Sequence, residues 1–111
     1  MNADACDERL STFLAEAARQ MDEIDTATLT LQRRPGDIDA LATLVSAAHV
    51  IKGRAAALGL RAVVVEAQRI EWWALDRAPA STNAPLLVLN AARAELHRLL
   101  DEVAAGLDGA P

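Results

Sequence analysis

The sequence predicts an all-α protein, an antiparallel four-helix bundle. Three observations carry that expectation. Apolar residues recur at spacings of three and four along most of the chain. Clear breakers fall in only three places: Arg34-Pro35-Gly36, Gly59, and the stretch APASTNA at 78–84. No alternating strand pattern is present, and the β-branched run Val63-Val64-Val65 lies inside a long segment without turn signals. Hydrophobic residues make up 52% of the 111 residues but aromatics only 3%. The core must therefore come from Leu, Val, Ile and Ala, which suit close helix packing. Four amphipathic segments with short connections pack as an up-and-down bundle.

The first helix is expected from about Asp7 to Gln32. Leu10, Phe13, Leu14, Ala17, Met21, Ile24 and Leu31 form its apolar face, and Thr28 fills the one gap in that series. At ~1.5 Å per residue it spans roughly 39 Å. Asp37 suits the N-cap of a second helix, which runs to about Leu58, with Gly59 as the residue just past its end. The third starts near Leu60 and continues to about Arg77. Asn83 can cap the fourth, with Pro85 in its first turn; that helix reaches about Leu107 and leaves a frayed tail. One domain is expected over 1–111, with an ordered core of about 7–107.

Charge and composition exclude several functions. The chain carries 11 basic and 16 acidic residues, net −5, with no basic block, so a nucleic-acid footprint is missing. Cys6 is the single cysteine, which rules out an internal disulfide and a cysteine-based metal site and fits a reducing, cytoplasmic location. The opening MNADACDERL lacks the apolar region of a signal peptide, and no uncharged apolar run approaches the ~20 residues that cross a bilayer. No Gly-rich phosphate loop is present, and one bundle of this length leaves no room for a separate ATP-binding domain. The expectation is a module without kinase activity of its own.

The run AAHVIKGRAAALG, residues 47–59, stands out. A glycine in a helix interior costs about 1 kcal/mol relative to alanine, yet Gly53 sits one turn after His49. On a helical wheel at about 100° per residue, Leu41, Leu44, Ala48, Ile51, Ala55 and Leu58 share a core-facing arc. His49 lies about 130° from its centre, Gly53 about 170° and Lys52 about 70°. Ala42, Ser46 and Ala56 fall on the same outward side, with Val45 at its edge. A solvent face normally carries Glu, Lys and Arg; this one is cleared of bulk around a single imidazole. An imidazole with pKa ~6.5 is largely neutral at pH 7 and has a free lone pair. It can attack a phosphoryl group without first losing a proton. Lys52 can offset the negative charge that such a group brings, and Gly53 lets a partner's backbone come close.

The segment Ala47–Leu60 resembles the signature of histidine-containing phosphotransfer (HPt) domains, a pattern like A-H-x-[IL]-K-G-[SA]-[AS]-x-x-[LF]-G. A long preceding helix, the Gly36-Asp37 turn and an A-x-x-[IL]-E element at Ala67, Ile70 and Glu71 extend the similarity over most of the chain. It looks most like the HPt domains of bacterial phosphorelays and the N-terminal domain of chemotaxis kinases. The resemblance implies that His49 accepts the phosphoryl group, that Lys52 assists electrostatically, and that Gly53 leaves room for a receiver domain. It implies that Glu71 orients the imidazole; a solvated helix glutamate is the competing reading. The implied partners are response-regulator receiver domains and a sensor or hybrid histidine kinase. No cofactor belongs to the domain itself, and the Mg²⁺ sits on the partner receiver. Ala42, Ser46, Gly53, Arg54 and Ala56 form the implied contact surface. Arg54 departs from the family, which has a small residue there, and Gln68 stands where chemotaxis-type members often carry a histidine.

Other residues read more simply. His97, with Glu95, Arg98 and Asp101 near it in sequence, is expected to be a surface residue, and no H-x₃-H pair suggests a metal. Trp72 and Trp73 point about 100° apart, so one belongs to the core and the other is partly exposed. Three rival functions fit a helical bundle of this size. The phosphoacceptor helix pair of a sensor kinase fits poorly, since Val50 follows His49 and the next proline is Pro79. A helical adaptor without phosphotransfer stays open. A helical hydrolase or metal enzyme lacks a paired-carboxylate or ligand signature. Four helices can bury their own faces, so a monomer is expected.

Overall fold

The computed structural model describes residues 3–77 and 86–108. Four α-helices make up the described chain: α1 (Ala3–Arg33), α2 (Ile38–Ala57), α3 (Arg61–Arg77) and α4 (Leu86–Asp108). Each packs on its neighbours in chain order, and α4 closes the ring on α1. The direction of packing is antiparallel. Phe13, near the start of α1, shares a groove with Leu58 at the end of α2, and Thr30, near the end of α1, shares one with Asp39 at the start of α2. The molecule is a rod of 52 × 20 × 19 Å. Its 31-residue α1 runs for about 46 Å of that length.

Local chemistry fixes the ends of α2, which carries the site. The Asp37 side chain accepts from the Ala40 backbone N–H at 2.9 Å, capping the orphan donors of the first turn. At the other end Leu60 N–H bonds back to the Ala55 carbonyl and Gly59 N–H to that of Ala56. This Schellman-type ending requires a left-handed residue, and Gly59 supplies it at φ 74°. The chain then enters α3 after a three-residue turn, so α2 and α3 must lie side by side.

The predicted apolar faces point inward. Phe13, Ala17, Met21, Ile24 and Leu31 of α1 are buried, as are Leu41, Leu44, Ala48, Ile51 and Ala55 of α2; Leu10, Leu14 and Leu58 are half-buried. Thr28 is buried too, and its hydroxyl donates to the Ile24 carbonyl at 2.7 Å, so the gap in the apolar series costs no unsatisfied group. Ile70, Leu89 and Leu96 complete the centre from α3 and α4. Burying each such side chain contributes about 1.5–3 kcal/mol before entropy is subtracted. Trp73 is the buried tryptophan and Trp72 the exposed one. Helix α1 begins earlier than the pattern suggested, at Ala3 instead of Asp7. Asn83 as a cap and Pro85 as a first-turn residue lie outside the described residues, as do 78–84 and the last three residues.

Candidate functional site

Helix α2 aims its small face outward. Ala47 and Ala48 are buried, and the next residue, His49, projects with its side chain 67% exposed. Ala42, Ser46, Gly53 and Ala56 are all exposed around it. A Cβ added at Gly53 meets nothing within 4 Å. The protein's own packing therefore does not demand glycine there.

The imidazole is held from α3. Glu71 follows the fully buried Ile70 and is itself 8% exposed, so its carboxylate is trapped in the α2–α3 seam. Its Oε2 lies 3.0 Å from His49 Nδ1, and its Oε1 accepts from Lys52 Nζ at 2.6 Å. The reading of Glu71 as a solvated helix glutamate is thereby corrected: the residue after Ile70 falls at the buried edge of α3, where only α2 supplies partners. Lys52 is committed to this carboxylate and covers its charge.

Electrostatics then decide the tautomer. Burial pushes the Glu71 carboxyl up, but the hydrogen bonds from Lys52 and His49, together with their charges, outweigh it and hold it below the ordinary 4.5. Glu71 is therefore ionised at neutral pH and can only accept hydrogen bonds. Nδ1 of His49 must be the donor. In the neutral ring the lone pair is then on Nε2, the nitrogen away from Glu71. One buried carboxylate thus contacts both the ring of His49 and the ammonium of Lys52.

Arg54 follows Gly53 but turns away from His49. Five residues apart on a helix, the two side chains diverge by about 140°. Lys52 points to the α3 flank, whereas Arg54 lines a groove with the first half of α1. The bulk that breaks the small-residue pattern thus sits beside the face and leaves the imidazole uncovered. Gln68, one turn before Glu71, is half-buried.

A second polar cluster lies across the bundle, on the α1–α4 seam, and the sequence did not reveal it. His97 Nε2 lies 3.2 and 3.1 Å from the two carboxylate oxygens of Asp25, and Arg93 Nη1 donates to Asp25 Oδ1 at 3.1 Å. His97 is half-buried and its partner is on another helix, which corrects its reading as a plain surface residue with Glu95, Arg98 and Asp101 for neighbours. Arg93 and His97 are one turn apart beside the buried Ala92 and Leu96, and that spacing was the available signal. The composition matches the first cluster: histidine, carboxylate, cation. The geometry is opposite, because here Nε2 is the nitrogen taken by the carboxylate.

Among the described residues no group of three His, Cys, Asp or Glu side chains could hold a metal ion. No described helix is long and apolar enough to cross a membrane.

Fold and site together define a class: a small helical bundle that exposes one oriented imidazole on an open face instead of enclosing a substrate. The family model of the Hpt domain matches residues 8–106, and the chain belongs to that family. Hpt domains are phosphocarriers of two-component signalling; they act without a kinase domain of their own and interact with kinases and response-regulator receivers. Neither the curated proteins nor the solved structures compared with the chain gave a match.

Proposed function

We propose that His49 is the phosphoacceptor and that the chain relays a phosphoryl group between a receiver-domain aspartate, or a sensor or hybrid kinase, and a response regulator. The observation that carries this reading is the Nδ1···Glu71 contact at 3.0 Å beneath an otherwise exposed ring. Nε2 attacks phosphorus with its lone pair. The bond from phosphorus to the aspartyl carboxylate oxygen breaks, and that oxygen leaves with the electron pair. No proton has to leave Nε2. The ring gains positive charge as the N–P bond forms, and the proton on Nδ1 stays hydrogen-bonded to ionised Glu71, which stabilises that charge. Lys52 keeps Glu71 ionised. The reverse step hands the group to the next aspartate.

The domain brings no cofactor in this scheme. The Mg²⁺ that neutralises the moving phosphoryl group is held by the receiver. Ala42, Ser46, Gly53 and Ala56 give clearance for the partner, and Arg54 flanks it. The bundle acts as a cytoplasmic monomer.

The test is direct. Receiver domains are phosphorylated with labelled acetyl phosphate and mixed with the protein and with His49→Gln. Acid-labile, base-stable label on the wild type and none on the variant supports the reading. Label that survives the substitution removes His49 from the role, and absence of label from every receiver and kinase tried leaves the adaptor reading.

A further inference from the structure

A groove of about 800 Å³ runs between the first half of α1 and the last turn of α2. Phe13, Ala57 and Leu58 give it an apolar lining, and Arg54 stands at the end nearer His49, about 7.5 Å further along α2. Arg54 is exposed. Arg19, Arg34, Lys52, Arg69, Arg93 and Arg98 each pair with a carboxylate of the chain, whereas Arg54, like Arg9, Arg33 and Arg61, has no such partner among the described residues. Glu16, the α1 carboxylate whose charge state responds to Arg54, is already hydrogen-bonded by Gln20 and Arg19.

The surrounding sequence sharpens the contrast. The chain is net −5, yet residues 40–65 contain no Asp or Glu and carry Lys52, Arg54 and Arg61. Lys52 is spent on Glu71. Arg54 is therefore the cation of α2 that makes no ion pair among the described residues. The far end of the same α1–α2 seam is more acidic: Asp22, Glu23, Asp37 and Asp39 line a second groove there, with Arg34 as its cation.

We infer that the Arg54 groove seats an amphipathic segment of the phosphotransfer partner whose edge nearest His49 is acidic. The inference rests on the phosphocarrier reading and deepens it, since it names what selects the partner. Ala57 and Leu58, over the buried Phe13, offer an apolar strip, and an amphipathic helix lies in a groove by its apolar face. The guanidinium forks a carboxylate with two parallel hydrogen bonds, which adds geometry to charge. Asp7, Glu8 and Arg9 line the groove as well. The two carboxylates outnumber the Arg9 guanidinium at that end, which disfavours a segment that is acidic throughout and places its carboxylate at the Arg54 end. Arg54 is thus a specificity contact: it touches the partner and takes no part in the reacting atoms.

The experiment compares phosphotransfer from a panel of acetyl-phosphate-charged receiver domains to the wild type, Arg54→Glu, Arg54→Lys, Arg33→Glu and His49→Gln. Arg33 is also exposed and lies at the far end of α1, so its variant controls for net charge. Arg54→Glu should raise KM roughly tenfold with kcat within about twofold, and should flatten the dependence of rate on salt. Arg54→Lys should recover part of the loss, and the melting temperatures should coincide. Equal KM values for Arg54→Glu and Arg33→Glu overturn the groove assignment, even while His49→Gln is unlabelled and the relay stands. Label that persists in His49→Gln, or no label on the wild type from any receiver, overturns the relay reading and the groove assignment with it.

Discussion

Glu71 places one carboxylate oxygen 3.0 Å from Nδ1 of His49, and that contact fixes which ring nitrogen faces the protein and which faces outward. The other oxygen is occupied by Lys52 at 2.6 Å. Both contacts cross the α2–α3 seam, so the site exists only when the two helices are packed.

Glu71→Gln keeps the shape and removes the charge. The amide oxygen can still accept from Nδ1–H, but the amide can also turn and donate, which favours the tautomer with Nε2 protonated. Charge-assisted hydrogen bonds are worth about 1.5–3 kcal/mol against about 1 for neutral ones. Single-turnover phosphotransfer to Glu71→Gln should slow by about tenfold or more, with the label still on His49.

The same carboxylate makes stability depend on pH. Its folded pKa is held below 4.5 by Lys52 and His49 against the opposing effect of burial. A depressed carboxylate contributes stability above its unfolded pKa and loses it as pH falls through the folded one. Urea unfolding of the wild type and Glu71→Gln should show the largest difference near pH 7. The difference should shrink below about pH 4.5 and vanish once Glu71 is protonated in both states. A gap that stays constant from pH 7 to pH 3 contradicts this account.

Gly53→Gln should separate stability from transfer. A Cβ at Gly53 meets open space, and glutamine is a better helix former by roughly 0.5–1 kcal/mol. The melting temperature should hold or rise slightly, while transfer falls because the longer side chain intrudes on the face proposed for the partner. Matched transfer rates for the two proteins count against the cleared face.

The fold was legible because its signals are local. Asp37 caps α2, Gly59 ends it in the left-handed region, and the apolar series from Phe13 to Leu31 buries as its spacing dictates. The outward face of His49 followed from the same 3.6-residue period. Glu71 was harder, because its role depends on which residue of α3 lies level with His49, and a one-dimensional pattern does not fix the register between helices. The Asp25–Arg93–His97 cluster was missed for the same reason. Its members lie 68 and 72 positions apart, and nothing local to Asp25 announces a partner on α4.

That cluster supplies a control on the far seam. Asp25 is partly exposed, so screening limits each ion pair to about 0.2–1 kcal/mol. Asp25→Asn should lower the unfolding free energy by about 1 kcal/mol and leave phosphotransfer to His49 unchanged. A large loss of transfer at full stability would tie the α1–α4 seam to the reaction.

The position of the phosphoryl group on the ring tests the central claim most directly. Phosphorus and nitrogen NMR of the labelled protein, with ¹⁵N in its histidines, distinguishes the two nitrogens of His49 and separates them from His97. The account predicts phosphorus bonded to Nε2 of His49, with Nδ1 protonated and hydrogen-bonded to Glu71. Phosphorus on Nδ1 of His49, or on either nitrogen of His97, would contradict it.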